Sequence, residues 1–390
     1  MTKIRWATVP GIAALAAILT IGLAGTATAF HDGGVAHCDG CHSMHNSPDN
    51  PVTGTPNSTL LKGTDASSTC LNCHAGSGSP TSYHVLSGNG SAWTPGGDFF
   101  WLTQSYSNVV RGNTVTSDPD QMGHNVIAMD FGLHIDGNNT QAPGGTYSAA
   151  LLSCASCHNP HGQVNGGTAN GQDPISVSGS YGDIPPAGTI AGSYRLLGST
   201  PYGSITAPAP IAVIPYATRF SDADDASHVA YGQGMSEWCA SCHSQYLSAP
   251  NKHPAGNLET LSANRATTYN AYVATGDFTG GTGANAYTGL VPFERQETDK
   301  TVLLAAATST QGPTTSDNVM CLTCHRAHAS AFENITRWDM GAALLAEGYP
   351  SAANLVAMGA VANADYLGRD IATDFGEYQR SLCNKCHAKD

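Results

Sequence analysis

The sequence has 390 residues; 41% are hydrophobic, 12% are charged, and 16 Lys and Arg stand against 29 Asp and Glu. These figures exclude a collagen-like chain, a coiled coil and a charge-driven disordered chain. The shortage of basic residues also argues against nucleic-acid binding, which requires clustered Lys and Arg. The informative counts are 12 Cys and 16 His, because both residue types bind metals and cofactors.

The N-terminal segment has the pattern of a secretion signal. Lys3 and Arg5 precede an apolar, Ala-rich run from about residue 11 to residue 24, and Ala27-Thr28-Ala29 provides a small-x-small cleavage site. We predict that residues 1–29 are removed and that residues 30–390 form the mature, exported domain. A transmembrane anchor is the alternative, but the run is short and is interrupted by small residues. No later segment approaches a membrane span in length, so we expect none in the mature chain.

All 12 Cys occur in C-x-x-C pairs that are followed directly by His. This is the attachment signature of c-type haem, in which two thiols form thioethers with the porphyrin and the adjacent His binds the iron. A disulfide scaffold and zinc ribbons are the alternatives. Zinc ribbons need Cys pairs about 15–20 residues apart, whereas the first Cys of successive motifs are 32, 84, 85, 82 and 62 residues apart. The sequence therefore predicts six covalent haems, at Cys38/Cys41/His42, Cys70/Cys73/His74, Cys154/Cys157/His158, Cys239/Cys242/His243, Cys321/Cys324/His325 and Cys383/Cys386/His387.

The role of the ten remaining His determines whether the haems only transfer electrons or can also bind a substrate. An iron with a second protein ligand has no coordination position left for a substrate. His45, His161 and His328 follow their motifs as C-H-x-x-H. Each lies on the same side of its own porphyrin as the proximal His, so we expect it to bind a different haem, which requires closely spaced haems. For every candidate the alternative is a capping or surface histidine.

Further distal candidates lie in spacers that contain little other His. Together with the C-H-x-x-H residues they give seven candidates for six places, so one is spare. His37, His134 and His228 are interpreted as surface or hydrogen-bonded residues, and the eight Met as packing residues. The further candidates are His84, His124, His253 and His31, the last of which is second in the predicted mature chain.

Gly, Ser, Thr, Asn and Pro dominate the spacers and predict loops, with a single helical turn at each haem motif. The best strand candidate, residues 205–216, is weakened by three Pro. Helical periodicity is confined to residues 341–347 and 352–367. The acidic run 222–225 is more typical of a solvated loop than of a Ca²⁺ site.

With about 60 mature residues for each haem, we predict one domain, mostly coil with short helices, wrapped round haems that replace the usual core.

Several segments outside the haem motifs resemble a known family, the hexahaem outer-surface c-type cytochromes of the cytochrome S type, which polymerise into extracellular filaments. The resemblance extends from the predicted mature N-terminus to the last residue. It is carried by Phe30–Cys38 and the following Cys41-His42-Ser43-Met44-His45, by Ser82-Tyr83-His84, Thr94–Phe99, Cys154–Gly162, Val229–Cys239, His253–Asn257, Arg326–Ser330 and Tyr378–Asp390.

The resemblance implies a helical filament with a continuous haem stack in alternating parallel and T-shaped pairs, every iron held by two His. It also implies that His45 binds the fifth haem, at His325, of a neighbouring subunit. His37, His134 and His228 have no counterpart in that family, in keeping with their assignment as non-ligands.

Three functions are compatible with these motifs. The leading hypothesis is an electron-transfer polymer at the outer cell surface that passes respiratory electrons to other cytochromes or to extracellular acceptors, after haem attachment in the periplasm. A monomeric periplasmic shuttle is the second. A multihaem reductase of a small oxidant is the third; it needs an open iron, sometimes marked by Lys in place of the motif His, and all six motifs here end in His.

Overall fold

The computed structural model of the chain describes residues 38–43, 60–78, 83–110, 112–160, 195–215, 223–248 and 253–389. The predicted signal peptide and the histidines His31, His37, His45 and His161 lie outside these ranges.

Turns and irregular backbone dominate, so the prediction of a coil-rich chain with short helices is confirmed. The helices are α1 Cys38–Cys41, α2 Ala66–His74, α3 Cys154–Cys157, α4 Met235–Cys239, α5 Gln245–Ser248, α6 Ala263–Ala271, α7 Lys300–Ala306, α8 Ala352–Met358 and α9 Ile371–Phe375.

Each haem motif contains helical backbone, as predicted. Helices α1 to α4 contain Cys of the first four motifs, and the 3₁₀ turns Cys321–Thr323 and Leu382–Lys385 contain Cys of the last two. A helical turn brings residues three positions apart to the same side, so the two Cys of a motif can meet one porphyrin edge. At α2 the Asp65 side chain caps the helix by accepting the Ser68 N–H at 2.7 Å.

Two antiparallel ribbons supply the strands: β1 Ser107–Val110 with β2 Asn113–Thr116, and β3 Ile211–Val213 with β4 Ala230–Gln233. Strand β3 lies within the predicted range 205–216 and is short because Pro residues flank it. Successive residues of the second ribbon point to opposite faces. One face packs Ala212 and Tyr231 beside Met320, and the other packs Val213 against Leu303 of α7.

The helical predictions for residues 341–347 and 352–367 are only partly correct. The first is a 3₁₀ turn over Leu345–Glu347. The second ends at Met358, because Gly359 adopts a left-handed conformation with φ 69° and terminates α8. The sequence pattern missed α6 and α7, which begin at side-chain caps rather than at strong apolar stripes: Ser262 accepts the Arg265 N–H, and Asp299 accepts the Thr301 and Val302 N–H groups.

Ten of the 25 residues in the largest buried cluster are aromatic, among them Phe99, Trp101, Tyr269, Phe332 and Trp338. Smaller clusters lie on either side of the β3–β4 ribbon. Within the ranges that the structure describes, none of the helices has the length and apolar character needed to cross a bilayer.

A fully buried carboxylate organises the segment that runs from residue 87 to residue 100. Asp98 accepts hydrogen bonds from the Ser87 N–H at 3.0 Å and the Ser87 hydroxyl, from the Ala92 N–H at 3.1 Å and from the Phe100 N–H at 2.9 Å. Burial raises the pKa of Asp98, and these hydrogen bonds act in the opposite direction. The carboxylate thus fixes a loop that contains almost no regular structure.

We expect Asp98→Ala to lower the free energy of unfolding by about 3 kcal/mol or more, because it leaves several buried donors without an acceptor. Urea unfolding of the haem-loaded protein measures the change. Asp136→Ala is the matched control, since its carboxylate accepts two N–H groups, of Asn138 and Asn139, at a partly exposed site; its loss should cost about 1 kcal/mol. Equal unfolding midpoints for the two variants would contradict this role for Asp98.

Candidate haem sites

Three pairs of histidine rings have nearly the same distance between ring centroids, with the ring planes inclined by 46° to 84°. The ring centroids of His158 and His328 are 6.2 Å apart, those of His124 and His243 are 6.0 Å apart, and those of His253 and His387 are 6.1 Å apart. Each pair joins one motif His to one predicted distal His. With a metal–nitrogen bond of about 2.0 Å and a ring nitrogen about 1.1 Å from its centroid, two axial imidazoles have centroids about 6 Å apart. The three spacings therefore fit an iron atom between the rings.

Backbone carbonyls orient the motif histidines. A carbonyl oxygen can only accept, so each Nδ1 carries the proton and each Nε2 keeps its lone pair for a metal. The bonds run from His74 Nδ1 to Tyr83 O at 3.2 Å, from His158 Nδ1 to Arg195 O at 2.6 Å, from His243 Nδ1 to Pro143 O at 2.7 Å, and from His325 Nδ1 to Asn334 O at 2.8 Å.

Several distal candidates are oriented in the same way. His124 Nδ1 donates to Ala327 O at 2.7 Å, His84 Nδ1 to Ser77 O at 2.9 Å, and His253 Nδ1 to Pro254 O at 3.0 Å. The ring of His328 is held differently, by stacking on Phe99 at a centroid distance of 4.9 Å.

Burial keeps these imidazoles neutral. Desolvation is the main cause that lowers the pKa of His74, His124, His158 and His325, and it lowers the pKa of His328 to about 3. A neutral ring is the form that binds a metal, so at neutral pH these side chains do not need to lose a proton before ligation.

Two glycines make room for His328. A Cβ on Gly96 would lie 2.8 Å from His328 Nδ1, and a Cβ on Gly97 would lie 1.8 Å from the carbonyl oxygen of Ala329. The Gly96 carbonyl accepts the His328 N–H at 2.7 Å, and the His328 carbonyl accepts the His124 N–H at 2.9 Å. The distal candidates of two different ring pairs are therefore joined directly through the main chain.

The motif cysteines also approach each other in pairs. The Cys70 and Cys154 side chains interact directly, and so do those of Cys239 and Cys321. The second motif thus lies beside the third, and the fourth beside the fifth, as close spacing of the haems requires. The described cysteines form no disulfide.

Two predicted attachment residues, Cys73 and Cys383, depart from the enclosed surroundings expected beside a porphyrin. Both are exposed, whereas the other cysteines whose burial the structure describes are partly buried. Helix α2 packs Leu71 into the core. Successive helical residues turn by about 100°, so Cys73 lies on nearly the opposite side of the helix and points outward. The polypeptide alone therefore does not enclose the Cys73 thiol, and its thioether stays a prediction that rests on the C-x-x-C-H spacing.

Two buried serines that sequence reasoning missed hold the neighbouring motif pairs together. Ser67 Oγ accepts the Cys154 N–H at 3.0 Å, and Ser236 Oγ accepts the Cys321 N–H at 3.1 Å. Each serine stands three residues before the first Cys of its own motif, and the other four motifs have no Ser at this position. This repeated offset is the sequence signal that could have identified them.

His74 and His84 lie on either side of Tyr83, whose ring has edge contacts with both, at centroid distances of 5.6 and 5.1 Å. An open depression of about 670 Å³ borders this region and is lined by Gly76, Leu86, Phe100 and Phe131, among others. For His42 and His325 the remaining candidates, His31, His45 and His161, fall outside the described residues.

The histidines interpreted as non-ligands have other surroundings. His134 is exposed. His228 is buried, stacks on Tyr287 at 3.6 Å between ring centroids, and donates from Nδ1 to Asp225 O at 3.0 Å. The side chain of Asp225 forms an ion pair with Arg369 at 2.8 Å, while Asp222 lies outside the described residues.

Unpaired buried donors provide an independent test of whether haem fits. Among the described residues, the indole N–H groups of Trp93, Trp101 and Trp338 are buried without an acceptor, whereas that of Trp238 donates to Gly198 O at 2.8 Å. A buried Trp N–H normally has a partner. The unpaired donors fit a group that brings its own acceptors, as a haem does with its propionates.

Comparisons with known proteins agree with this chemistry. No family model matches the chain. The c-type cytochrome OmcS of Geobacter sulfurreducens is 43% identical to it, over 93% of this chain and 95% of OmcS. The structure of the outer membrane cytochrome S filament from the same organism superposes with a TM-score of 0.79 at 42% identity, covering 93% of this chain and 100% of that one. A cryo-EM structure of the OmcS nanowires gives a TM-score of 0.77 at 41% identity, with the same coverage.

We expect Gly96→Ala to push the His328 ring away from His158, because the added methyl group would overlap Nδ1. The oxidised protein should then show one high-spin haem by electron paramagnetic resonance. Gly88→Ala is the matched control, since nothing lies within 4 Å of its Cβ position, and it should leave every haem low-spin. An all-low-spin Gly96→Ala protein would show that this contact does not position His328.

Proposed function

The chain belongs to the OmcS family of c-type cytochromes, and we propose that it is an extracellular electron carrier, not an enzyme, with six haems that each have two His ligands. As a c-type cytochrome it holds haem c covalently. The single observation that carries the proposal is the set of three imidazole pairs with centroids 6.0–6.2 Å apart. A haem held between two imidazoles supplies one-electron transfer and leaves no position for a substrate.

The protein residues define these sites in three ways. Backbone carbonyls hold the protons of the ring Nδ1 atoms, so the Nε2 lone pairs are free for ligation. Burial lowers the pKa of His124, His158 and His328 and so keeps these rings neutral. Buried aromatic side chains, such as Phe99 against His328, exclude water, which limits the change in solvation when an electron arrives.

The proposed ligand assignment follows from the ring pairs. His328 closes the third site, His124 the fourth and His253 the sixth, opposite His158, His243 and His387. By resemblance to the family, His45 closes the fifth site of a neighbouring subunit. His84, His161 and His31 remain for the first and second sites, and one of them is spare.

Adjacent attachment motifs support a continuous path for electrons. The second and third motifs are in contact, and so are the fourth and fifth. His158 of the third site and His124 of the fourth also approach the same short segment, residues 327–328. These contacts support electron transfer between neighbouring haems of the second to fifth sites without a diffusing carrier.

We assign the proposed carrier to a helical homopolymer outside the cell. The relatives of known structure are described as a filament and as nanowires, and this chain is similar to them over nearly its whole described length. Residues 1–29 would direct export, with haem attached in the periplasm before assembly. The electron acceptors would be other cytochromes or extracellular oxidants.

Two other functions make different predictions. A periplasmic shuttle would stay monomeric, so electron micrographs of the purified protein would show dispersed particles at every concentration. A reductase needs an open iron, and carbon monoxide would bind readily to the reduced, undamaged protein. Fibres without carbon monoxide binding support the proposed carrier over both.

We expect His253→Met to raise one of the reduction potentials, because His/Met ligation favours the ferrous state more than bis-His ligation does. A spectroscopic redox titration of the six-haem protein measures the shift. His134→Met, at an exposed histidine, should change none of the potentials. If both variants titrate like the natural protein, His253 is not an axial ligand.

We expect His45→Ala to prevent filament growth and to leave one haem high-spin, because the neighbouring subunit loses an iron ligand. Negative-stain electron microscopy and electron paramagnetic resonance of the same sample provide the two readouts. His37→Ala should form normal fibres. Normal fibres with six low-spin haems in His45→Ala would refute ligation between subunits.

A further inference from the structure

A buried positive charge lies inside the last haem-attachment loop. The twelve residues between paired Cys include only two charged ones, Asp39 and Lys385. Lys385 stands between Cys383 and Cys386, and only 3% of its surface is exposed. The proposed thioethers at Cys383 and Cys386 would therefore hold the Lys385 backbone next to the sixth haem.

Neutral groups surround the ammonium group of Lys385. Nζ donates to Ala286 O at 2.7 Å and to Tyr269 O at 3.3 Å. It also lies 4.2 Å from the ring centroid of Tyr269 and 5.4 Å from that of Tyr272. Carbonyl dipoles and aromatic faces stabilise a cation without cancelling its charge.

Burial is the largest influence on the pKa of Lys385 and lowers it to about 8, while the Cys386 thiol and the Asp225 carboxylate act in the opposite direction. A thioether at Cys386 would carry no charge, which leaves Asp225 as the acidic partner. Asp225 is about one-third exposed and already forms an ion pair with Arg369 at 2.8 Å. Its charge is therefore shared and partly screened by solvent. The positive field of Lys385 is left largely uncompensated in a poorly polarisable interior, where charges act strongly over short distances.

We propose that Lys385 sets the sixth haem to a higher reduction potential than it would otherwise have. Reduction adds one electron, and so one negative charge, next to a fixed cation, which favours the reduced form; no bond is made or broken. The sixth haem would therefore hold an electron more readily than it would without this charge. This inference rests on the proposed bis-His carrier and identifies one residue that tunes it.

The test compares three variants in a spectroscopic redox titration with dithionite as the electron donor and soluble mediators. Lys385→Gln is neutral but keeps N–H donors for the two carbonyls, and Lys385→Met is neutral without donors. Both should move one reduction step to lower potential and leave the other five in place. Lys385→Arg keeps the charge and should retain the natural potential. The reduction step whose potential falls in Lys385→Gln and Lys385→Met should be the same step whose potential rises in His253→Met.

Lys389→Gln is the matched control, because Lys389 is exposed and water screens its charge; it should change the titration little. Unchanged potentials in both neutral variants, with six low-spin haems present, would overturn the role of Lys385. Fewer than six haems or a high-spin signal in the natural protein would instead contradict the proposed carrier.

If the neutral variants do not retain six haems, the double variant Asp225→Asn with Arg369→Gln provides the measurement, because it removes the carboxylate without leaving the Arg369 charge unpaired. Removing the carboxylate that acts on Lys385 should move the same step to higher potential. A fall, or no change, in that variant would count against the inference.

Discussion

The spacing of two imidazole rings across a site only about 6 Å wide is the constraint on which the rest of the structure depends. In each of the three ring pairs the partners come from distant parts of the sequence, for example His124 with His243. Little regular secondary structure holds them. Single hydrogen bonds from Nδ1 to backbone carbonyls hold most of the rings, so the precision of the site comes from where individual peptide groups lie. A loop can provide this precision only if the loop itself is fixed, which explains buried anchors such as Asp98.

Contacts between motifs turn separate sites into an array. Ser67 and Ser236 use the same hydrogen bond to tie one motif to the first Cys of the next. Near the contact between Ser236 and Cys321, Glu294 is fully buried. Its carboxylate accepts the Met235 N–H at 2.7 Å and an Asn318 side-chain N–H at 2.9 Å. Because Met235 starts α4 and Asn318 leads into Cys321, this carboxyl group aligns both attachments. Burial raises its pKa to about 7, so near neutral pH its two charge states are close in free energy.

The sequence predicted the local backbone at the haem motifs better than the path of the chain between them. The C-x-x-C-H spacing is a local property, and each motif does adopt a helical turn. Ring pairing depends on non-local contacts, so the sequence could name His124, His253 and His328 as candidates but could not assign their partners. The helix predicted over residues 352–367 stopped early because a left-handed Gly359 outweighs apolar periodicity. Helices α6 and α7 were missed because capping, which is decided by one side chain, defines their starts.

Charge is scarce in this chain, and that scarcity gives each buried charge a large effect. With 12% charged residues, few counter-charges are available to cancel a buried one. Asp98 is balanced by the dipoles of N–H groups, and Lys385 by carbonyls and aromatic rings. Dipoles of this kind stabilise a charge in place but do not remove its field at a distance. In a protein whose proposed task is to move electrons, a buried charge such as Lys385 would act on a redox centre without touching an iron.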